Sequence, residues 1–109
     1  MEGFVKGEVV VIPFPFTDLT ATKRRPALVV ASLKGDDLIV CQITSKAKDN
    51  YSIYLSDNDF SKGRLPMDSF IRPNRLFTAH KDLIERKVGS LKKNKIDNVI
   101  AELCDLLRS

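Results

Sequence analysis

Three consecutive cations, Lys23, Arg24 and Arg25, directly precede Pro26-Ala27-Leu28-Val29-Val30, an apolar run that reads as a buried strand. An earlier apolar run, Val9 to Pro13, reads as another. A basic segment anchored at both ends by buried strands can hold a polyanion, since an arginine presents a planar fork matched to phosphate oxygens. The same charges also fit a solvated loop with no task. Thr44 and Ser45 close a later apolar run and supply hydroxyl groups. Other chemistry is sparsely provided for. His80, the only histidine, stands before a Lys81-Asp82 turn and reads as exposed or structural rather than as a general base. Cys41 and Cys104 lie far apart in apolar contexts and read as buried, unpaired thiols. With a single histidine they make no zinc-type ligand set, so no metal and no cofactor is expected.

Short strands must position these groups. The first strand is expected over Glu8 to Pro13, with Pro13 and Pro15 stopping the ladder because neither has an N–H to donate. Phe14 and Phe16 alternate with these prolines; each either packs into the core or stacks on a nucleobase. The roughly ten-residue loop that follows exceeds usual hairpin lengths. Its middle, Thr17 to Lys23, is expected to be a mobile cover over Arg25, with Asp18 capping a local turn. A second strand, Pro26 to Ser32, and a third, Leu38 to Thr44, flank the turn signal Lys34-Gly35-Asp36-Asp37 and pair as an antiparallel hairpin. That topology brings Thr44 and Ser45 beside Arg25 and Pro26. Tyr51 to Leu55 alternates as a short strand. Ser56 offers an N-cap to a helical turn ending near Gly63. Met67 to Thr78 reads as a strand interrupted at Arg72-Pro73-Asn74-Arg75 by a bulge, bend or edge. Lys87 to Ser90 forms a last short strand or a connection. From Lys93 to Leu107, Ile96, Val99, Ile100, Leu103, Leu106 and Leu107 make one helical apolar stripe. The expected fold is mainly β: a small antiparallel barrel with a C-terminal α-helix.

The chain has 109 residues and 29% charged residues, which suits one ordinary globular domain spanning residues 1–109. No apolar run approaches the roughly 20 residues that span a bilayer. The N-terminal segment lacks a signal-peptide pattern, so a cytoplasmic protein is expected. The net charge of +4 is unevenly spread. Between Lys62 and Lys95 ten basic residues face only three acidic ones, giving +7 there and −3 elsewhere. Such asymmetry suggests a basic surface, with nucleic acid as the first candidate partner, or a solvated face with sign bias.

Several segments occur in the order and spacing of PemK/MazF-type toxins, and the chain resembles that family from about Lys6 to the final helix. They are Gly7-Glu8-Val9-Val10, Pro13-Phe14-Pro15-Phe16-Thr17-Asp18, Lys23-Arg24-Arg25-Pro26-Ala27-Leu28-Val29-Val30 and Gln42-Ile43-Thr44-Ser45. Ser69-Phe70-Ile71-Arg72-Pro73, Leu76-Phe77-Thr78 and Val88-Gly89-Ser90-Leu91 continue the match. The resemblance implies an SH3-like barrel, a homodimer, and a metal-independent endoribonuclease that cuts single-stranded RNA by 2′-hydroxyl attack. It also implies a cognate antitoxin that binds the same surface. The family's catalytic arginine falls on Arg25 and its partner threonine on Thr44. Lys23, Arg24, Ser45, Arg72, Asn74, Arg75 and Phe16 become candidate RNA contacts; Arg72 and Arg75 could instead form dimer ion pairs. Some branches carry a carboxylate near position 74, where Asn74 cannot act as a base. Two other readings of the same barrel are a gyrase poison like CcdB and a non-catalytic nucleic-acid-binding relative.

Overall fold

Val9, Val10 and Ile12 are all fully buried, although successive side chains of a strand point to opposite faces. Both faces of this strand must therefore be covered, and the rest of the chain supplies the cover. The computed structural model describes residues 3–15, 22–46 and 49–109. The strands are β1 (Glu8–Pro15), β2 (Thr22–Ser32), β3 (Asp37–Thr44), β4 (Ile53–Leu55), β5 (Phe60–Gly63), β6 (Ser69–His80) and β7 (Arg86–Leu91); helix α1 (Lys93–Arg108) follows. They form one seven-stranded sheet in the order β4-β6-β3-β2-β1-β7-β5, and the described pairings are antiparallel. The edge strands β4 and β5 are not paired with each other, so the curled sheet is a half-barrel that stays open. This is the expected mainly β architecture with one terminal helix.

A core cluster lies on each face. On one, Val9, Leu28, Cys41, Ile43 and Ile71 pack with Val99 and Leu103 of α1. On the other, Val10, Ile12, Ala27, Val29 and Val40 pack with Phe4, Phe77 and Ile84. The helical stripe meets the first cluster through Ile96, Val99, Ile100 and Leu103; Leu107, in the last turn, is exposed. Cys41 is buried as expected, whereas Cys104 is exposed, and both are free thiols. Cys104 follows Leu103 by one helical step of about 100°, which turns it off the buried stripe. No described helix is long and apolar enough to cross a membrane.

The first hairpin differs from the sequence expectation. β1 continues to Pro15 and β2 begins at Thr22, in one unbroken register from Val9↔Leu28 to Pro15↔Thr22. The prolines do not end the ladder because of their parity. The Val11 carbonyl accepts from Glu85 N at 2.9 Å, on the side away from β2. Pro13 and Pro15 share Val11's parity, so their missing N–H groups fall on that same side. Lys23, Arg24 and Arg25 are consequently strand residues, not loop residues. Of the expected mobile cover, Thr17 to Ala21 and the Asp18 cap lie outside the described residues, and Thr22 and Lys23 belong to β2.

Further along, Ser56 N donates to Asp59 Oδ2 at 2.9 Å. The turn it opens is a single 3-10 turn, Asp57–Asp59. The chain then extends as β5 instead of remaining helical to Gly63. Residues 86–91 form a full strand between β1 and β5. His80 is exposed, and its Nδ1 accepts from Asp82 N at 3.1 Å, a local structural role.

Gly63 closes β5 against β7 at a φ of +70°, and a Cβ there would lie 2.1 Å from the Val88 carbonyl oxygen. Both the left-handed backbone and the close approach require glycine. Gly63→Ala should therefore lower unfolding free energy by about 1–3 kcal/mol, read from urea melts at unchanged m-value.

Candidate active site

Strand alternation assigns each cation of β2 to a face. Arg24 and Pro26 share parity with Leu28, of the helix-covered cluster, whereas Arg25 shares parity with Ala27 and Val29, of the opposite cluster. Arg25 is half-buried and lies across from Ile12 of β1. On its other side the β2–β3 ladder runs through Leu28↔Cys41 to Ala27↔Gln42. The same register carried two residues further sets Arg25 opposite Thr44. Gln42 and Thr44 have Arg25's parity, so the three share one face at the end of the sheet.

Thr44 is only 6% exposed. Its Oγ1 accepts from Lys46 N at 3.3 Å, closing a turn at the end of β3. The hydroxyl is held as an acceptor there and keeps its own proton to donate. Lys23 and Arg24 are exposed on β2, and Arg24 Nε pairs with Glu85 Oε1 at 2.5 Å. Ser45 is exposed just beyond β3. Phe16 lies outside the described residues.

The interrupted strand contains a bulge. β6 pairs with β3 through Gln42↔Arg72 and then Cys41↔Leu76, so Pro73, Asn74 and Arg75 have no partner on β3. Asn74 and Arg75 project from it as exposed residues, but Arg72 is 8% exposed. The Arg72 guanidinium donates from Nη1 to Gln42 Oε1 at 3.4 Å and from Nη2 to Asp49 Oδ2 at 3.2 Å. Asn74 Nδ2 donates to the same Asp49 oxygen at 2.9 Å. Arg72 is thus an internal anchor, and Asp49 is a functional candidate that sequence reading missed. The hydrogen bond from Asn74, with those from Tyr51 N–H and Arg72, holds the Asp49 carboxyl below its ordinary 3.8. A carboxylate therefore does stand beside position 74, but as a weak base that is permanently charged near neutrality.

A cleft of about 370 Å³ opens at the same end of the sheet. Arg24, Arg25, Arg64 and Arg86 line it with Ser45 and Ser69, over an apolar floor that includes Ile43, Leu65 and Val88. Among the described residues no carboxylate lines it. Cationic walls over an apolar floor suit a ligand that carries both phosphate and flat apolar surface. Arg64 and Arg86 belong to the basic Lys62–Lys95 segment, but only the β1–β7 pairing, with Val11↔Arg86, carries Arg86 to β2's neighbourhood.

Residues 5–107 match the family model of the PemK-like, MazF-like toxin of type II toxin-antitoxin system. The chain belongs to this toxin family. Among solved structures, MazF of Deinococcus radiodurans is 19% identical over all of both chains, with a TM-score of 0.76. MazE–MazF of the same organism is also 19% identical, covering 97% of each chain at a TM-score of 0.75. An endoribonuclease in complex with its cognate antitoxin, from a mycobacterial species, is 14% identical, covering 98% of this chain and 95% of that one at a TM-score of 0.75. At these identities the solved structures establish the shared fold. A search of the curated proteins finds no match.

The Asp49 hub of this toxin-family chain makes a pH prediction. A carboxyl whose folded pKa is depressed contributes stability above its unfolded value, near 3.9, and loses it as pH falls through the folded value. Carboxyl ¹³C NMR should place the Asp49 midpoint below 3.8. Asn74→Ala should move that midpoint upward, because it removes the largest stabilising contact; an unmoved midpoint would contradict the assignment.

Proposed function

We propose that this family member is an endoribonuclease toxin acting on single-stranded RNA in the cytoplasm, with Arg25 and Thr44 at the reacting phosphate. The observation that carries the reading is their shared face: one register sets a half-buried arginine opposite a nearly buried hydroxyl at the open end of the sheet. The 2′-oxygen attacks the adjacent phosphorus and the bond from phosphorus to the 5′-oxygen breaks, leaving a 2′,3′-cyclic phosphate and a 5′-hydroxyl. The proton lost from the 2′-hydroxyl is balanced by the one gained at the 5′-oxygen.

Negative charge grows on the phosphorane oxygens, and Arg25 stabilises it with a fork of charge-assisted hydrogen bonds. Thr44 donates its free proton to the same phosphate. Arginine stays protonated at all working pH values, so its part is electrostatic and not proton transfer. Lys23, Arg24, Ser45 and Arg75 hold the flanking backbone, Asn74 contacts a base, and Phe16 stacks on one. Arg72 supports Asn74 through Asp49. No metal enters this scheme. The structural neighbour solved in complex with its cognate antitoxin supports a cognate antitoxin as regulator, and the family resemblance supports a homodimer.

Incubation with long single-stranded RNA in EDTA, followed by sequencing of the new 5′ ends, tests activity and reads the cleavage motif together. Cleavage is expected to persist in EDTA and to leave 5′-hydroxyl ends. Arg25→Ala should lower the single-turnover rate about 10²–10³-fold, and Thr44→Val about 10-fold or more. Full cleavage by Arg25→Ala would refute the site, and loss of activity in EDTA would refute the metal-free scheme.

A further inference from the structure

The face that carries Arg25 and Thr44 continues across two more strands. Thr44 pairs with Phe70 of β6, and Phe70 pairs with Tyr54 of the edge strand β4. Paired residues of a sheet share a face, so Phe70 and Tyr54 prolong the row that begins at Ile12 and Arg25. Ile71 and Ile53, one step away in the same ladder, belong to the helix-covered face. The two aromatic rings have centroids 5.8 Å apart and are tilted by 59°. Tyr54 is 51% exposed, a large apolar surface left open on an edge strand. Its ring is nonetheless fixed at the far end, because the hydroxyl donates to Asp68 Oδ2.

We infer that Tyr54 and Phe70 form a stacking platform for a nucleobase of single-stranded RNA that flanks the phosphate held by Arg25 and Thr44. Adjacent strands lie about 4.8 Å apart. The platform therefore begins one strand from Thr44 and ends two strands from it, within reach of a neighbouring nucleotide. Any base has a π-face, so a tilted, partly exposed aromatic pair binds without demanding one sequence. The tyrosine's bond to Asp68 removes rotamer freedom before the base arrives. Charge favours an RNA occupant over a second protein surface: the row begins at a half-buried arginine, and Asn74 and Arg75 project from the next stretch of β6.

This inference rests on the RNA-cleaving reading, and the test separates the two. The probe is a 2′-O-methyl RNA pool, which cannot be cleaved, with 5-iodouridine at random uridine positions. Light-induced crosslinks, mapped by mass spectrometry, are expected on Tyr54 or Phe70. Tyr54→Leu and Phe70→Leu keep apolar bulk but lose the ring; each should weaken binding of the same pool roughly 5- to 150-fold. Tyr54→Phe, which keeps the ring and loses only the Asp68 bond, should fall between wild type and Tyr54→Leu. Circular dichroism and urea melts establish that each variant is folded. Wild-type affinity in both leucine variants, with crosslinks mapping elsewhere, would overturn the platform while leaving cleavage by the wild-type protein intact. An altered sedimentation coefficient in the leucine variants with unchanged RNA affinity would also overturn it, by making the row a protein interface. Binding and crosslinking as described, with no cleavage of unmodified RNA, would refute the catalytic reading and leave the platform standing.

Discussion

The β1–β2 register is the constraint on which the site depends. It runs without a bulge from Val9↔Leu28 to Pro15↔Thr22, and it fixes the face of every residue in the basic run. Because side chains alternate with period two, a slip of one residue would exchange Arg25 with its neighbours. Such a slip would also rotate Leu28 and Val29 out of their respective clusters, both of which are nearly or fully buried. Apolar burial in the middle of the strand therefore holds the position of a cation at its end. The energy that places Arg25 comes from the buried apolar residues Leu28 and Val29 further along the same strand.

The same logic explains how the sheet can serve two ends. α1 and its apolar stripe close one face. Phe4, Phe77 and Ile84 pack against part of the other. What is left is the stretch where Gln42, Thr44, Phe70 and Arg72 share a side. The bulge at Pro73 to Arg75 belongs to this arrangement. It places a proline where no ladder donor is required and lifts Asn74 and Arg75 out of the pairing.

Local signals made much of this legible in the sequence. The turn at Lys34 to Asp37 and its flanking apolar runs define the β2–β3 hairpin, and the hairpin alone predicts that Thr44 approaches Arg25. The helical stripe was equally plain, because a period of 3.6 is a property of neighbouring residues. The length of β1 is less legible, because a proline ends a ladder only where its parity requires the missing N–H. Asp49 was illegible for a different reason. Its partners Arg72 and Asn74 are 23 and 25 residues away in sequence. Nothing in the polar stretch around it reports that β6 folds back to meet it. Arg86 likewise becomes part of the cleft only through pairing of β7 with β1.

Arg72 shows what the arrangement costs and why its role is positional. Its guanidinium is nearly buried, and among the described residues Nε has no hydrogen-bond partner. The pair joins this desolvated cation to a carboxylate at the surface, so it adds little net stability: the desolvation of Arg72 opposes an attraction that solvent screens. Unsatisfied buried polar atoms are rare in folded proteins and call for a reason. Here the reason lies in what the pair holds. Asp49 is anchored from below by Arg72, and Asp49 in turn accepts from the Asn74 amide. Because an ionised carboxylate can only accept, it fixes which way that amide points: the nitrogen turns toward Asp49 and the oxygen away from it. A chain of three polar residues thus converts a buried charge into the orientation of one exposed side chain.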